Sequence, residues 1–101
     1  MKIVVNKCFG GFSVSKAVYD ALGLEWDGYG YLDNSDLGID DDDAMAYRCN
    51  AKLIAAIESV GEKSASGGLA SIRIVDIPEG IEWEIGDYDG LETVHEKHRS
   101  W

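Results

Sequence analysis

The sequence predicts a small α+β domain in which an antiparallel sheet, made of an N-terminal strand plus a 69–77/81–87 hairpin, packs against two or three helices. Three observations carry that expectation. Ala70, Ile72 and Ile74 alternate with Ser71, Arg73 and Val75, and Ile81, Trp83 and Ile85 alternate with Glu82, Glu84 and Gly86. A period of two buries one face of a ribbon and wets the other. Between the runs, Pro78-Glu79-Gly80 joins a fixed φ to a residue tolerant of positive φ, which suits a turn between paired strands. Finally, Cys49, Leu53, Ala56, Ile57 and Val60 fall on one helical stripe, with Lys52, Glu58 and Ser59 outside it.

Taken in order, Ile3-Val4-Val5 is a short apolar run that reads as a buried strand, the third member of the sheet. It ends at Asn6-Lys7, and residues 8–12 must turn. Ser13 or Ser15 can cap a short helix whose inner face is Ala17, Val18, Ala21 and Leu22, with Gly23 as its stop. Over residues 24–43 the periodicity fails. Trp26, Tyr29 and Tyr31 alternate loosely with Gly28 and Gly30, as a strand or a packed loop, and the aspartates that follow are too repulsive for an element interior. Asp40 to Asp43 are expected at or before the N-terminus of the second helix, where acid meets the positive end of the dipole, and Gly61 ends that helix. Residues 64–68 are a small-residue loop. Leu91, Val94, His98 and Trp101 sit at helical spacing, with Lys97, His98 and Arg99 where cations are favoured, so a short C-terminal helix or turn is expected there. No repeat or boundary divides the chain, which reads as a single domain over 1–101.

Composition supports a folded core: 46% of the 101 residues are hydrophobic and 10% are aromatic. The formal net charge is −10, which makes nucleic acid and anionic membranes poor direct partners and a basic surface the natural complement. The charges are also segregated. Residues 17–47 hold nine acids and no Lys or Arg, and residues 74–96 hold eight more, again with none. Seventeen of the nineteen acids therefore have no local base, and the folded surface is expected to carry fixed negative potential. No apolar run approaches the ~18 residues of a membrane span. Cys8 and Cys49 belong to no CxxC pattern, and with no signal-peptide pattern at Met1-Lys2-Ile3 two free thiols in a reducing cytoplasm are expected.

Catalytic and metal patterns are incomplete. Asp33-Asn34-Ser35-Asp36-Leu37-Gly38 starts like a calcium loop, but position twelve, where a bidentate glutamate should close it, is Ala44. His95 and His98 have no cysteine near enough in sequence to complete a zinc set. Glu82 and Glu84 leave one strand on the same side, as a glycosidase pair could, yet nothing else suggests a sugar cleft. Gly10-Gly11 lacks the lysine of a Walker A loop and the third glycine of a dinucleotide fingerprint, and Ser13 and Ser15 have no evident His or Asp companion. The expectation is a protein that is not an enzyme, with no cofactor and no metal.

Both ends of the chain resemble a known group. Residues 2–15, KIVVNKCFGGFSVS, resemble the opening of a group of small proteins encoded by bacteriophages and prophages, and the run from Ile77 to Trp101, with Pro78-Glu79-Gly80, Trp83, Tyr88-Asp89-Gly90 and His98-Arg99-Ser100-Trp101, resembles their closing. The resemblance carries no catalytic residues with it; it implies a phage or prophage accessory protein acting in the bacterial host cytoplasm. Joined to the charge map, it points to an acidic inhibitor of a basic, nucleic-acid-handling host defence complex, a protein or ribonucleoprotein, an anti-CRISPR acting by DNA mimicry being the most concrete case. Carboxylates two apart on a strand recur about every 6.6–7 Å, close to the phosphate spacing of a nucleic-acid strand. The expected contact residues are Asp33, Asp36, Asp40, Asp41, Asp42, Asp43, Glu82, Glu84, Asp87 and Asp89. The alternative is a phage structural, assembly or self-associating accessory protein using Trp26, Tyr29 and Tyr31, and either a monomer or a homodimer suits both readings.

Overall fold

The structure is a computed structural model that describes residues 1–96. In chain order these form β1 (Lys2–Asn6), α1 (Lys16–Leu22), a 3-10 turn (Ser35–Leu37), a second 3-10 turn (Ala46–Cys49), α2 (Ala51–Val60), α3 (Glu62–Ala65), β2 (Ile72–Asp76), β3 (Trp83–Tyr88) and β4 (Leu91–Glu96). The α+β class read from the sequence is the class observed.

The strand pairing differs from the expected hairpin. β2 pairs antiparallel with β1, in register Val4↔Ile74, and β3 pairs antiparallel with β4, in register Ile85↔Val94. The reversal at residues 69–77/81–87 is therefore not a ladder, and residues 91–96 are a strand instead of the start of a helix. Lys97, His98, Arg99 and Trp101 lie outside the described residues. Turn chemistry explains the choice. Asp89 and Gly90 both have positive φ, 51° and 89°, so they close a two-residue hairpin whose twist matches its strands. β2 is meanwhile closed to β3, because the edge it turns away from β1 is already occupied. Ile72 N donates to Ser66 Oγ at 2.9 Å and Ile74 N to Glu62 Oε2 at 2.7 Å.

The outer edge of β1 is finished in a similar way. Lys7 N donates to Ser71 O and Ile77 N to Met1 O, so the odd-numbered residues of β1 bond to β2 and the even-numbered ones face away. On that side Val4 O accepts from Arg48 Nη1 at 3.2 Å, and Asn6 N donates to Glu92 Oε1 at 2.8 Å. Arg48 and Glu92 are themselves joined through both arms of the guanidinium, at 2.6 and 2.9 Å, with only 2% and 3% of each side chain exposed. The Arg48 guanidinium lies 3.6 Å from the Phe12 ring centroid and 5.0 Å from that of Tyr47. Asn6 Nδ2 donates to Cys8 O and Gly90 O, and Lys7 Nζ to Glu92 O. Side chains thus join the two ribbons where a backbone ladder is missing. An exposed strand edge left bare would be a site for unwanted pairing.

The core lies between the β1–β2 ribbon and the helices. Val4, Val14, Val18, Tyr19, Leu53, Ile57, Ala65 and Ile72 are buried together, with Leu32 from a loop and Tyr47 from the second 3-10 turn. α2 presents Leu53, Ile54, Ala56 and Ile57 inward, and Asn50 caps it by accepting from Lys52 N and Leu53 N. On α1 the expected Val18 and Leu22 pack inward and Tyr19 joins them, whereas the expected Ala17 and Ala21 are exposed. The Tyr19 phenol explains the rotation, since it reaches Tyr31 O at 2.9 Å and stacks edge-on against Trp26.

Candidate acidic interface

A run of aspartates holds a defined shape only if its backbone is tied down, and here the carboxylates do the tying. Asp33 Oδ1 accepts from Ser35 N, Ser35 Oγ and Asp36 N, and Asp36 Oδ2 accepts from Asp33 N. The Ser35 hydroxyl, followed by the Asp36 amide, holds the Asp33 carboxyl below its ordinary range. Asp41 Oδ1 accepts from Asp43 N and Asp43 Oδ1 from Met45 N. Asn34 then bridges the two acidic turns to the core: its Nδ2 donates to Asp43 O and its Oδ1 accepts from Tyr47 N.

Those turns deliver the first acidic window against the second. Asp41, Asp43, Ala46, Cys49, Ile81, Glu82 and Trp83 line one groove of about 350 Å³. A neighbouring one of about 240 Å³ is lined by Asp43, Met45, Trp83, Glu84 and Ile85. Asp43 and Trp83 belong to both, so acids from the two windows, about 40 positions apart in sequence, line adjoining grooves that share one half-buried tryptophan. Cys49 registers the same field: burial raises its thiol pKa, and the charges of Asp43 and Asp41 raise it further.

Asp40 to Asp43, expected at or before the α2 N-terminus, lie before it, and too far along the chain to meet its dipole. The 3-10 turn Ala46–Cys49 intervenes, the helix is capped by Asn50, and its first turn holds no acid. Asp40 and Asp42 are exposed in the same run but line neither groove. Asp33 and Asp36 lie one hydrogen bond from Asp43 through Asn34, and with Asp27 they raise the pKa of the Tyr19 phenol, whose burial is the larger cause. Asp87 and Asp89 sit at the opposite end of the β3–β4 ribbon, about 17 Å from Trp83 at strand rise. There Asp87 Oδ1 accepts from Gly90 N.

The charge accounting is mostly as the sequence predicts. Among the described residues of the two windows, ion pairs join Asp20 to Lys16, Asp76 and Glu79 to the N-terminal amine, and Glu92 to Arg48. Glu92 is the departure: expected on the anionic surface, it is buried and neutralised by a base 44 residues away. Among the described residues, Asp33, Asp36, Asp40, Asp41, Asp42, Asp43, Glu84, Asp87 and Asp89 pair with no Lys or Arg. The groove residues that sequence reasoning did not assign to the site are Met45, Ala46, Cys49, Ile81, Trp83 and Ile85. For Trp83 a signal existed, since it sits between Glu82 and Glu84 in the alternation.

Among the described residues no group of three or more His, Cys, Asp and Glu side chains is placed to hold a metal ion. The calcium-like segment is instead the 3-10 turn at Ser35–Leu37, with its carboxylates bonded to its own backbone. His95 is exposed on β4 opposite Glu84. No described helix is long and apolar enough to cross a membrane. Comparison with protein-family models, with curated proteins and with solved structures finds no match to this chain.

Proposed function

We propose that this protein is a phage-encoded acidic inhibitor that occupies the nucleic-acid-binding surface of a basic host defence complex, with the Trp83 groove as its contact. The observation that carries this reading is that Asp41, Asp43, Glu82 and Glu84, from two distant base-free windows, line adjoining grooves that share Asp43 and Trp83. Surfaces that hold nucleic acid present rows of Lys and Arg, and a neighbouring protein with fixed carboxylates competes for those rows. An indole among the carboxylates adds a face on which a guanidinium or lysine stem can lie. Asp40, Asp42, Asp33 and Asp36 extend the anionic surface beyond the groove and steer the approach of a cationic partner, a contribution that salt screens.

The test is capture from a bacterial host lysate on the immobilised protein at about 50 mM and about 200 mM salt, with mass spectrometry of what is retained. A basic nucleic-acid-handling complex should be held at low salt, released at the higher salt, and lost when Asp40 to Asp43 are changed to Asn. Retention that ignores both salt and the substitutions, or no retention at all, would remove the reading.

A further inference from the structure

A second surface combines exposed aromatic rings with acids. Tyr29, Tyr31, Leu69 and Tyr88 are each 65–74% exposed and Phe9 is 60% exposed. They form a connected face. The Phe9 and Tyr88 rings meet edge-on at 6.3 Å, and Tyr29 and Tyr31 lie parallel, 7° apart, at 5.9 Å. Gly10 joins the two pairs: its N donates to Asp89 O, and a Cβ added to it would lie 2.8 Å from the Leu69 carbonyl oxygen. Gly10, Leu69, Tyr29 and Tyr31 then line one groove of about 440 Å³. Asp27 fixes the tyrosine pair by accepting from the backbone N–H groups of Tyr29, Gly30 and Tyr31. Lys16 also lines the groove, and its ammonium is held by Asp20.

Charge decides what such a face can receive. A second copy would bring another −10 against the Asp87 and Asp89 carboxylates that flank Tyr88, so self-association is disfavoured. A cationic segment is attracted, and open tyrosine faces hold planar guanidinium better than a compact, strongly hydrated ammonium. Within this same fold the arrangement is already used once: Arg48 lies over Phe12 and beside Tyr47 with a carboxylate across its fork.

We infer that the Phe9–Tyr88–Leu69–Tyr29–Tyr31 face is a docking surface for an arginine-rich segment of a protein partner, selecting arginine over lysine. The inference rests on the reading above that the partner is basic, and it adds a second contact with its own chemistry.

Deca-arginine and deca-lysine peptides of equal charge test it by calorimetry at about 150 mM salt. The protein should bind deca-arginine about tenfold more tightly, as expected for several exposed ring–guanidinium contacts together. The triple substitution Tyr29→Leu, Tyr31→Leu and Tyr88→Leu keeps apolar area but removes the π faces; with an unchanged far-ultraviolet spectrum it should bring the preference below about twofold. Equal affinity for the two peptides overturns the inference while leaving the acidic reading intact. So does a preference that survives the triple substitution, or a dimer in sedimentation that this substitution dissociates. An arginine preference that persists with Asp40 to Asp43 changed to Asn supports it whether or not a host complex is captured.

Discussion

The substitution with the largest expected consequence is Arg48→Met, which removes one half of a buried ion pair. Arg48 and Glu92 are 2% and 3% exposed, so water screens neither. Met keeps the volume between Phe12 and Tyr47 but takes away both bonds to Glu92 and the bond to Val4 O. Glu92 is then a buried carboxylate that still accepts from the Asn6 backbone N–H but has lost its counter-charge. Breaking a buried pair from one side costs about 3–5 kcal/mol. For a domain of this size that lowers the melting temperature by roughly 12–40 °C, at about 4–8 °C per kcal/mol. Total stability is about 5–15 kcal/mol, so the variant stands near the limit of folding. Adding Glu92→Gln leaves a neutral acceptor for Asn6 N and removes the stranded charge, so the double variant should regain about 2 kcal/mol or more over Arg48→Met alone. Urea unfolding of the wild type, both single variants and the double variant closes the cycle. A loss under about 1 kcal/mol for Arg48→Met, or additive single effects, would refute the claim that this pair finishes the β1 edge and joins the ribbons.

Three further outcomes follow from individual contacts. Asp27 titrates below its ordinary value because the Gly30 amide, with those of Tyr29 and Tyr31, bonds to its charged form; its contribution is present above the unfolded value of 3.8 and is lost as pH falls through the lower native one. Carbon-detected NMR titration should show that shift, and Tyr29 and Tyr31 amides should move with the same midpoint; a normal carboxyl titration would contradict it. In a Cys8→Ser background, Asp41→Asn with Asp43→Asn should lower the Cys49 thiol pKa and speed its alkylation near pH 8, whereas an unchanged rate would place the aspartates away from Cys49. Gly90→Ala should destabilise by more than about 1 kcal/mol, because φ is 89° and the added Cβ would run into the Gly11 backbone N; thermal melting checks it, and an unchanged midpoint would contradict the docking of the hairpin tip on the Gly10-Gly11 turn.

Local patterning was readable at α2, where Leu53, Ala56 and Ile57 keep one face, and at β1, where a continuous apolar run marks a strand covered on both sides. Pairing was harder. Pro78-Glu79-Gly80 resembles a hairpin turn, but turns of that kind also occur in connections that join no ladder. The stronger signal was Asp89-Gly90 between two runs of β-branched and aromatic residues, and it was obscured because Leu91, Val94 and His98 also fit a helical period. The acidic surface was legible in bulk because base-free windows cannot neutralise themselves. Its convergence on Trp83 was not, since it depends on Asn34 bonding to Asp43 O and Tyr47 N, a contact with no periodic signature. The burial of Glu92 was hidden for the same reason: its partner Arg48 lies just beyond the other base-free window, 44 residues away in sequence.

The measurement closest to the central claim is competition at the partner itself. A host complex captured as above is loaded with fluorescently labelled duplex DNA, and the protein is titrated in while anisotropy is followed. Fixed carboxylates at the Trp83 groove should displace the duplex stoichiometrically, and a variant carrying Asp40 to Asp43→Asn with Glu84→Gln should leave it bound at the same concentrations. A ternary complex in which the protein and the duplex are held together, with anisotropy undiminished, would contradict the account.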